Sequence, residues 1–230
     1  LSNLRNEHRG VRATAARSLG KIGDRRAIPL LLRLLHDEGP DVRAAAARSL
    51  GELKEGEAVD ALIDRFSDEV ESVRAAAAYA LGRLGRADAV PPLIAALGDE
   101  KGSVRSAAAR SLGILKDQRA VEHLIPLLED EYSMARHRAA SALEKIGDRR
   151  SAPVLREALK DSYKGVRIPA AVALGKFQDS EAVSGLIGLL NDDSALARKT
   201  AIEALVRIGA PRATGAIGKR LEDQSRFVRR

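Results

Sequence analysis

The most regular reactive groups in this chain are an aspartate and an arginine held six residues apart: Asp37 with Arg43, Asp68 with Arg74, Asp99 with Arg105, Asp130 with Arg136, Asp161 with Arg167 and Asp192 with Arg198. A carboxylate beside a guanidinium can take part in acid–base chemistry or bind an oxyanion. A pair that returns unchanged in every segment, however, serves what every segment needs. The spacing therefore predicts a structural ladder, in which each arginine bonds loop carboxylates or carbonyls of its own segment and the adjoining one.

Other chemistry is sparse. The histidines, His8, His36, His123 and His137, share no register and form no pair one helical turn apart, so no two imidazoles converge on a metal. They are expected to be exposed to solvent. The serines Ser18, Ser49 and Ser111 repeat at one helix position and sit in no nucleophile elbow, which makes them surface or packing residues. There is no cysteine for a thiolate, and no glycine-rich run ending in Lys-Ser or Lys-Thr to cradle phosphate. The expectation is a chain with no catalytic residue, no metal and no cofactor.

The elements that carry these residues are read from a repeat. Val-Arg occurs at Val11, Val42, Val73, Val104, Val166 and Val228, with Ala135-Arg136 and Ala197-Arg198 in the gaps, always 31 residues apart. Such strict spacing marks stacked units that must present one shape to each other. Val11, Ala15, Leu19 and Ile22 form one helical stripe, repeated as Val42, Ala46, Leu50 and Leu53. It stops at Gly23, Gly85, Gly147 and Gly209, suited to a left-handed cap. Asp24, Asp117, Asp148 and Asp179 then stand as N-caps, and a second stripe follows, such as Ile28, Leu31 and Leu35. Each unit is a helical hairpin. Pro29, Pro91 and Pro153 suit the first turn of the second helix, whereas Pro126 should bend its helix and Pro169 should kink or delay the helix that holds it.

Composition bounds the function. With 45% apolar residues but only 3% aromatic and no tryptophan, the core is aliphatic and stacking surfaces are few. The net charge of +7 comes from 39 basic against 32 acidic residues, a mixed surface with a moderate attraction for anions. No apolar run is long enough for a signal or a membrane span, and with no cysteine the expected location is the cytoplasm.

The run Val-Arg-x-x-Ala-Ala-x-x-Leu-Gly-x-Ile-Gly-Asp-x-Arg-Ala-Ile, from Val11 to Ile28, resembles the HEAT-like repeats named after phycobilisome lyases, and artificial HEAT arrays built on that consensus. The resemblance implies an all-α, right-handed α-solenoid of helical hairpins. It covers residues 1–230 as a single array of about seven repeats, with the Val-Arg helix on the concave side. The aspartate–arginine pair is a hallmark of such repeats. Glu144 and Val206 replace a glycine present at Gly20, Gly51, Gly82, Gly113 and Gly175, so packing there should be looser or shifted. Leu1 falls in the register of Leu32 and Arg230 follows a fresh Val-Arg start, which points to a segment with incomplete terminal repeats. HEAT-like deoxyhypusine hydroxylases use repeated His-Glu dipeptides as iron ligands; here there is none, and Glu122-His123 is the reverse.

What varies between repeats is the remaining face of the Val-Arg helix. Six places after the valine stand Arg17, Arg48, Tyr79, Arg110, Ser141, Val172 and Glu203; ten places after it, Lys21, Glu52, Arg83, Ile114, Lys145, Lys176 and Arg207. Arg17, Lys21, Arg48, Tyr79, Arg83 and Arg110 form a basic stretch over small residues, the candidate concave binding site. Further on it turns apolar, with Met134, Ile168, Val172 and Leu196. The expected function is a non-catalytic scaffold that binds an acidic protein or peptide. Nucleic acid is the first alternative, though stacking aromatics are lacking; a bilin lyase-like subunit is the second, with three Tyr and three Phe to line a pocket. The oligomeric state stays open.

Overall fold

The structure is a computed structural model describing residues 8–54 and 56–229. Leu1 and Arg230, the terminal registers discussed above, lie outside the described residues. Helices account for the architecture, with no strand among the described residues. The chain divides into two compact units, Leu1–His123 and Leu124–Arg230.

In the first unit four helices of 14 residues carry the Val-Arg pairs: α1 (Arg9–Ile22), α3 (Pro40–Leu53), α5 (Glu71–Leu84) and α7 (Gly102–Leu115). Between them lie the shorter α2 (Ile28–Leu34), α4 (Val59–Ile63) and α6 (Val90–Ala95). In chain order, α8 (Val121–Leu124) follows. The second unit has the long helices α9 (Ser133–Ile146), α11 (Lys164–Phe177) and α13 (Ala195–Ile208). It alternates these with α10 (Ala152–Ala158), α12 (Val183–Leu189) and α14 (Thr214–Gly218), and ends with α15 (Arg226–Arg229). Each unit is thus a run of helical hairpins.

The stripes form the cores. Val42, Ala46, Leu50, Val73, Leu81, Val104 and Leu112 are fully buried, together with Leu31, Leu62 and Leu93 of the short helices. In α1, by contrast, Val11 and Ile22 are exposed. The short helices are more broken than the stripe suggests. Each is entered by a 3-10 turn, with Asp24, Asp117, Asp148 and Asp179 accepting the backbone N–H two residues on at 2.9–3.0 Å. At Pro126 the helix stops instead of bending: α8 ends at Leu124 and a 3-10 turn runs from Pro126 to Glu129, but α4 and α14 give way to the same turn at Asp64–Ser67 and Lys219–Glu222 without a proline, so the break belongs to the repeat.

The long helices end in left-handed caps. Gly23, Gly85, Gly147 and Gly209 have φ of +80°, +73°, +77° and +69°. The alternate repeats fill the same place with Lys54, Lys116 and Gln178 at φ of +54°, +55° and +51°. Geometry at this cap is set by the turn, not by the residue.

The long helices of the first unit, and α11 with α13 in the second, meet one another through glycine. A Cβ added to Gly51 would lie 2.6 Å from Cα of Ala80, and one on Gly175 2.8 Å from Cα of Ala204. At Gly20 and Gly82 the facing residues are Ser49 and Ser111, whose hydroxyls donate to the carbonyls of Ala16 and Ala78 at 2.9 and 2.8 Å. Those serines are buried, and each ties its helix to the preceding one across the close approach.

Pro169 lies inside α11 without delaying its start, which the sequence allowed for as an alternative to a kink. A proline at this position deprives the carbonyl of Gly165, four residues earlier, of its helical donor. His137 of α9 supplies one instead, bonding that carbonyl through Nδ1. Since a carbonyl only accepts, Nδ1 carries the proton. The Tyr163 ring packs edge-on against the imidazole, with centroids 6.1 Å apart. His137 is therefore half-buried and engaged, not a solvated histidine; His8, His36 and His123 are exposed.

Two measurements check this packing. Gly51→Ala should destabilise the first unit by about 1–3 kcal/mol, as an overpacked contact with backbone that cannot yield, read as a lower denaturant midpoint. In a double-mutant cycle, His137→Ala should cost about 1–2 kcal/mol with Pro169 present and clearly less in a Pro169→Ala background, where the helix supplies its own donor. Equal costs in both backgrounds would disprove the compensation.

Candidate functional site

Two sets of arginines leave the long helices in opposite ways. The first, directly after each Val or Ala of the repeat, turns into the loops. Asp37, Asp68, Asp99, Asp161, Asp192 and Asp223 each accept a backbone N–H two residues later through Oδ1, at 2.8–3.0 Å, which closes the loop and fixes the carboxylate. Asp130 does the same with Tyr132.

Onto these carboxylates the arginines dock, but not over the six-residue spacing. Arg43 reaches forward 25 residues to Asp68, with Nε and Nη2 at 2.7 and 2.8 Å from the two oxygens, while its Nη1 donates to the backbone carbonyls of Asp37 and Glu38 at 2.9 and 3.1 Å. The aspartate six residues before an arginine therefore offers its main chain, and the carboxylate partner belongs to the next repeat. Arg12 and Arg74 pair likewise with Asp37 and Asp99 in the first unit. Arg136, Arg167 and Arg198 pair with Asp161, Asp192 and Asp223 in the second. Arg105 bonds the carbonyls of Asp99 and Glu100.

These are shielded, two-pronged ion pairs; Arg43 and Arg74 are 8% and 7% exposed. Burial is the largest single influence on Asp68 and pushes its pKa up. The hydrogen bonds from Arg43 and the Val70 amide, with the charges of Arg43 and Arg65, together outweigh it and leave the pKa below the usual carboxylate value. Asp37, Asp99, Asp161 and Asp192 follow the same balance. For Asp223 the Arg198 hydrogen bond leads, and the pKa falls to about 2. Arg43 shifts the other way, its guanidinium held charged chiefly by the bond to Asp68.

The second set of arginines faces away from this lattice. Arg17, Arg48 and Arg110 lie on α1, α3 and α7 and are exposed, with half-buried Tyr79 between the last two on α5. Arg110 sets its guanidinium 5.4 Å from the centre of the Tyr79 ring. Arg17 makes only a 3.4 Å contact with the Thr14 hydroxyl. Arg48, Lys21 and Arg83 have no hydrogen-bond or ion-pair partner among the described residues. Beneath the row lie Ala13, Ala44 and Ser106, buried, and Ala75, half-buried. Exposed Glu52 and Ile114 interrupt the flank formed by Lys21 and Arg83. Among the described residues no cluster of His, Asp and Glu could hold a metal, and no helix is long and apolar enough to cross a membrane.

Sequence reasoning missed the Arg110–Tyr79 stacking and the His137–Gly165 bond. The one signal for the latter was a proline in mid-helix, and periodicity cannot say which neighbour compensates it.

The HEAT-repeat family model matches residues 1–82, 59–144, 120–174 and 152–230, and so spans the chain. No curated protein matches the sequence. Among solved structures, the chain is similar to one from the complex of CpcE and CpcF of phycocyanin lyase from Nostoc sp. PCC7120. The identity is 32%, covering 83% of this chain and 80% of that one, with a TM-score of 0.62. The YibA protein of E. coli shares the fold at a TM-score of 0.77 and 23% identity, over 99% of this chain and 88% of that one. An engineered protein shares it at 0.64 and 23%, over 80% and 97%.

Because the ladder carboxylates are held below their ordinary pKa, the folded state binds fewer protons than the unfolded chain as pH falls below about 4, and for Asp223 this window reaches down to about 2. Stability is thus full above about pH 4 and should be lost as pH falls through that window, a cooperative acid transition visible by circular dichroism. Arg74→Met should remove about 2–3 kcal/mol at neutral pH, since Asp99 then loses its partner, and should flatten the acid transition.

Proposed function

From the premise that this chain belongs to the HEAT-repeat family, we propose that it is a non-catalytic scaffold that binds an acidic protein segment on the long-helix layer of its first unit. The observation that carries this reading is the contrast between the two sets of arginines. Every described ladder arginine is satisfied by its own fold. Arg17, Arg48 and Arg110 keep their charge on the surface at one register, stepping across α1, α3, α5 and α7 with Tyr79 among them.

The glycine contacts make the long-helix layer a close-packed one, and the closer layer of a stack lies on the inside of its curve. We therefore read the row as concave, the extended, preformed surface that solenoids use for binding. With neighbouring helices about 8–10 Å apart, its three steps span roughly 24–30 Å. Lys21 and Arg83 widen the basic band. Arg110, stacked on Tyr79, keeps its N–H edge available for a carboxylate at low entropic cost.

A second reading rests on the 32% identity to a chain of the phycocyanin lyase complex: the protein would be a subunit of a bilin lyase. It makes a separate demand. Added bilin should then shift its absorption on mixing with the protein, and an unchanged spectrum retires the reading.

The scaffold proposal is tested with a glutamate-rich peptide and a DNA duplex as probes. Changing Arg17, Arg48 and Arg110 together to Glu should weaken peptide binding by at least about tenfold, with the melting temperature moved by no more than about 2 °C. A nucleic-acid site would lose log affinity with log salt at about −0.9 per phosphate neutralised, steeper than for the peptide. Peptide binding that ignores the triple change, or a variant that unfolds, would sink the proposal.

A further inference from the structure

The long-helix layer of the second unit has a different chemistry from that of the first. Where the first unit keeps its floor small, at Ala13, Ala44, Ala75 and Ser106, the matching positions here are His137, Ile168 and Lys199. The positions directly before the repeat's Ala-Arg or Val-Arg pair hold Met134, Gly165, Leu196 and Phe227. Leu196 and Phe227 are each 48% exposed, and Met134, Ile168 and Val172 are half-buried. The row is not loose. His137 is pinned by the Gly165 carbonyl, and Lys199 sits with Nζ 3.9 Å from the centre of the Phe227 ring.

A basic row runs beside it. Lys145, Lys176 and Arg207 stand at one register near the ends of α9, α11 and α13, all exposed. Lys176 is paired with Glu144, which occupies the place where other repeats have glycine. The side chains of Lys145 and Arg207 have no hydrogen-bond or ion-pair partner among the described residues.

We propose that this face of the second unit binds an amphipathic α-helix, its apolar stripe on Met134, Ile168, Leu196 and Phe227 and its acidic flank toward Lys145, Lys176 and Arg207. The proposal rests on the reading of the long-helix layer as the binding layer, and it adds a second site with its own ligand. The dimensions select a helix. The two rows are eight residues apart on α11, at Ile168 and Lys176, and eleven apart on α9 and α13, at Met134 and Lys145 and at Leu196 and Arg207; at 1.5 Å per residue that is about 12 to 17 Å, a width one helix lying across the long helices spans with lysine and arginine stems reaching in. One extended strand would be too narrow to reach both rows with side chains of one face.

Spacing along the stack agrees. Repeats step by about 8–10 Å, and apolar residues seven apart on a helix step by about 10.5 Å, so each repeat meets one apolar anchor per two turns. Three steps, from Met134 to Phe227, take about 16–20 residues of ligand. The three cations call for Glu or Asp along one flank. Glu203, exposed between the rows on α13, requires a polar or basic ligand residue at that step. Nucleic acid fits poorly, because the row offers bases one exposed aromatic ring, Phe227, and Lys199 already lies against it.

The test uses the full chain and a labelled synthetic peptide of about 20 residues, helical, with leucines seven apart and glutamates along one flank. A second peptide has the same composition permuted so that leucines and glutamates are scattered round the helix. Binding is read by fluorescence anisotropy, and far-UV circular dichroism confirms that each variant is folded. The amphipathic peptide should bind at least about tenfold more tightly than the permuted one. Ile168→Asp with Leu196→Asp should weaken it by about tenfold or more, and so should Lys145→Glu with Arg207→Glu, a surface pair that leaves the packing alone. Arg48→Glu with Arg110→Glu should leave it unchanged. Absence of binding, equal binding of both peptides, or indifference to both second-unit pairs overturns the proposal. If only the Arg48 and Arg110 changes abolish binding, this site falls while the first-unit reading stands; if they leave the glutamate-rich peptide unaffected, the first-unit reading falls and this one is judged on its own variants.

Discussion

A guanidinium that is largely removed from water has to be given acceptors on every side, and in this protein that requirement joins one repeat to the next. Arg43 lies with one edge on the carbonyls of its own loop and the other on a carboxylate of the following loop. Its removal would leave a shielded anion and two carbonyls unmet, far more costly than the loss of a surface ion pair. The loop aspartate is bound to the same requirement. Asp68 closes its own turn through the Val70 amide, receives Arg43, and lends its carbonyl to Arg74. Three contacts on one residue fix the loop, the register and the distance between hairpins together.

Two further constraints follow from that spacing. Glycine at the crossing point of neighbouring long helices allows the backbones to meet at a separation that a methyl group would forbid, and the buried serines Ser49 and Ser111 convert the close approach into a hydrogen bond. The core is almost wholly aliphatic, with Phe177 its one buried aromatic among the described residues, because each hairpin buries its leucines against the next. Where the pattern is broken, the structure shows a local answer. The carbonyl freed by Pro169 finds His137, and Glu144, at a glycine register, pairs with Lys176.

The proposed binding surfaces are drawn from what this lattice leaves over. Since ladder, crossing glycines and stripes occupy most of each long helix, only a few positions per repeat are free to vary. In the first unit they carry cations that form no ion pair among the described residues; in the second they carry apolar side chains beside a separate basic edge. The same kind of repeat thus presents two chemically distinct surfaces, and most of the difference lies outside the ladder and the core stripes.

The sequence by itself determined the hairpin, its length and its stacking, because the 31-residue period places equivalent residues in equivalent surroundings and any one repeat predicts the rest. The left-handed caps at Gly23 and Gly85 and the capping role of Asp24 and Asp117 were legible for the same reason: they depend on neighbours within a few residues. Only the tertiary structure could decide which carboxylate Arg43 takes. An aspartate six residues back and one 25 residues ahead are the same register of adjoining repeats, since six and 25 sum to the period, so periodicity cannot separate them. The answer depends on how far a guanidinium reaches once the hairpins are stacked. His137 and Pro169 were hidden for the opposite reason: their relation occurs once, outside the period, between residues that stacking alone brings together.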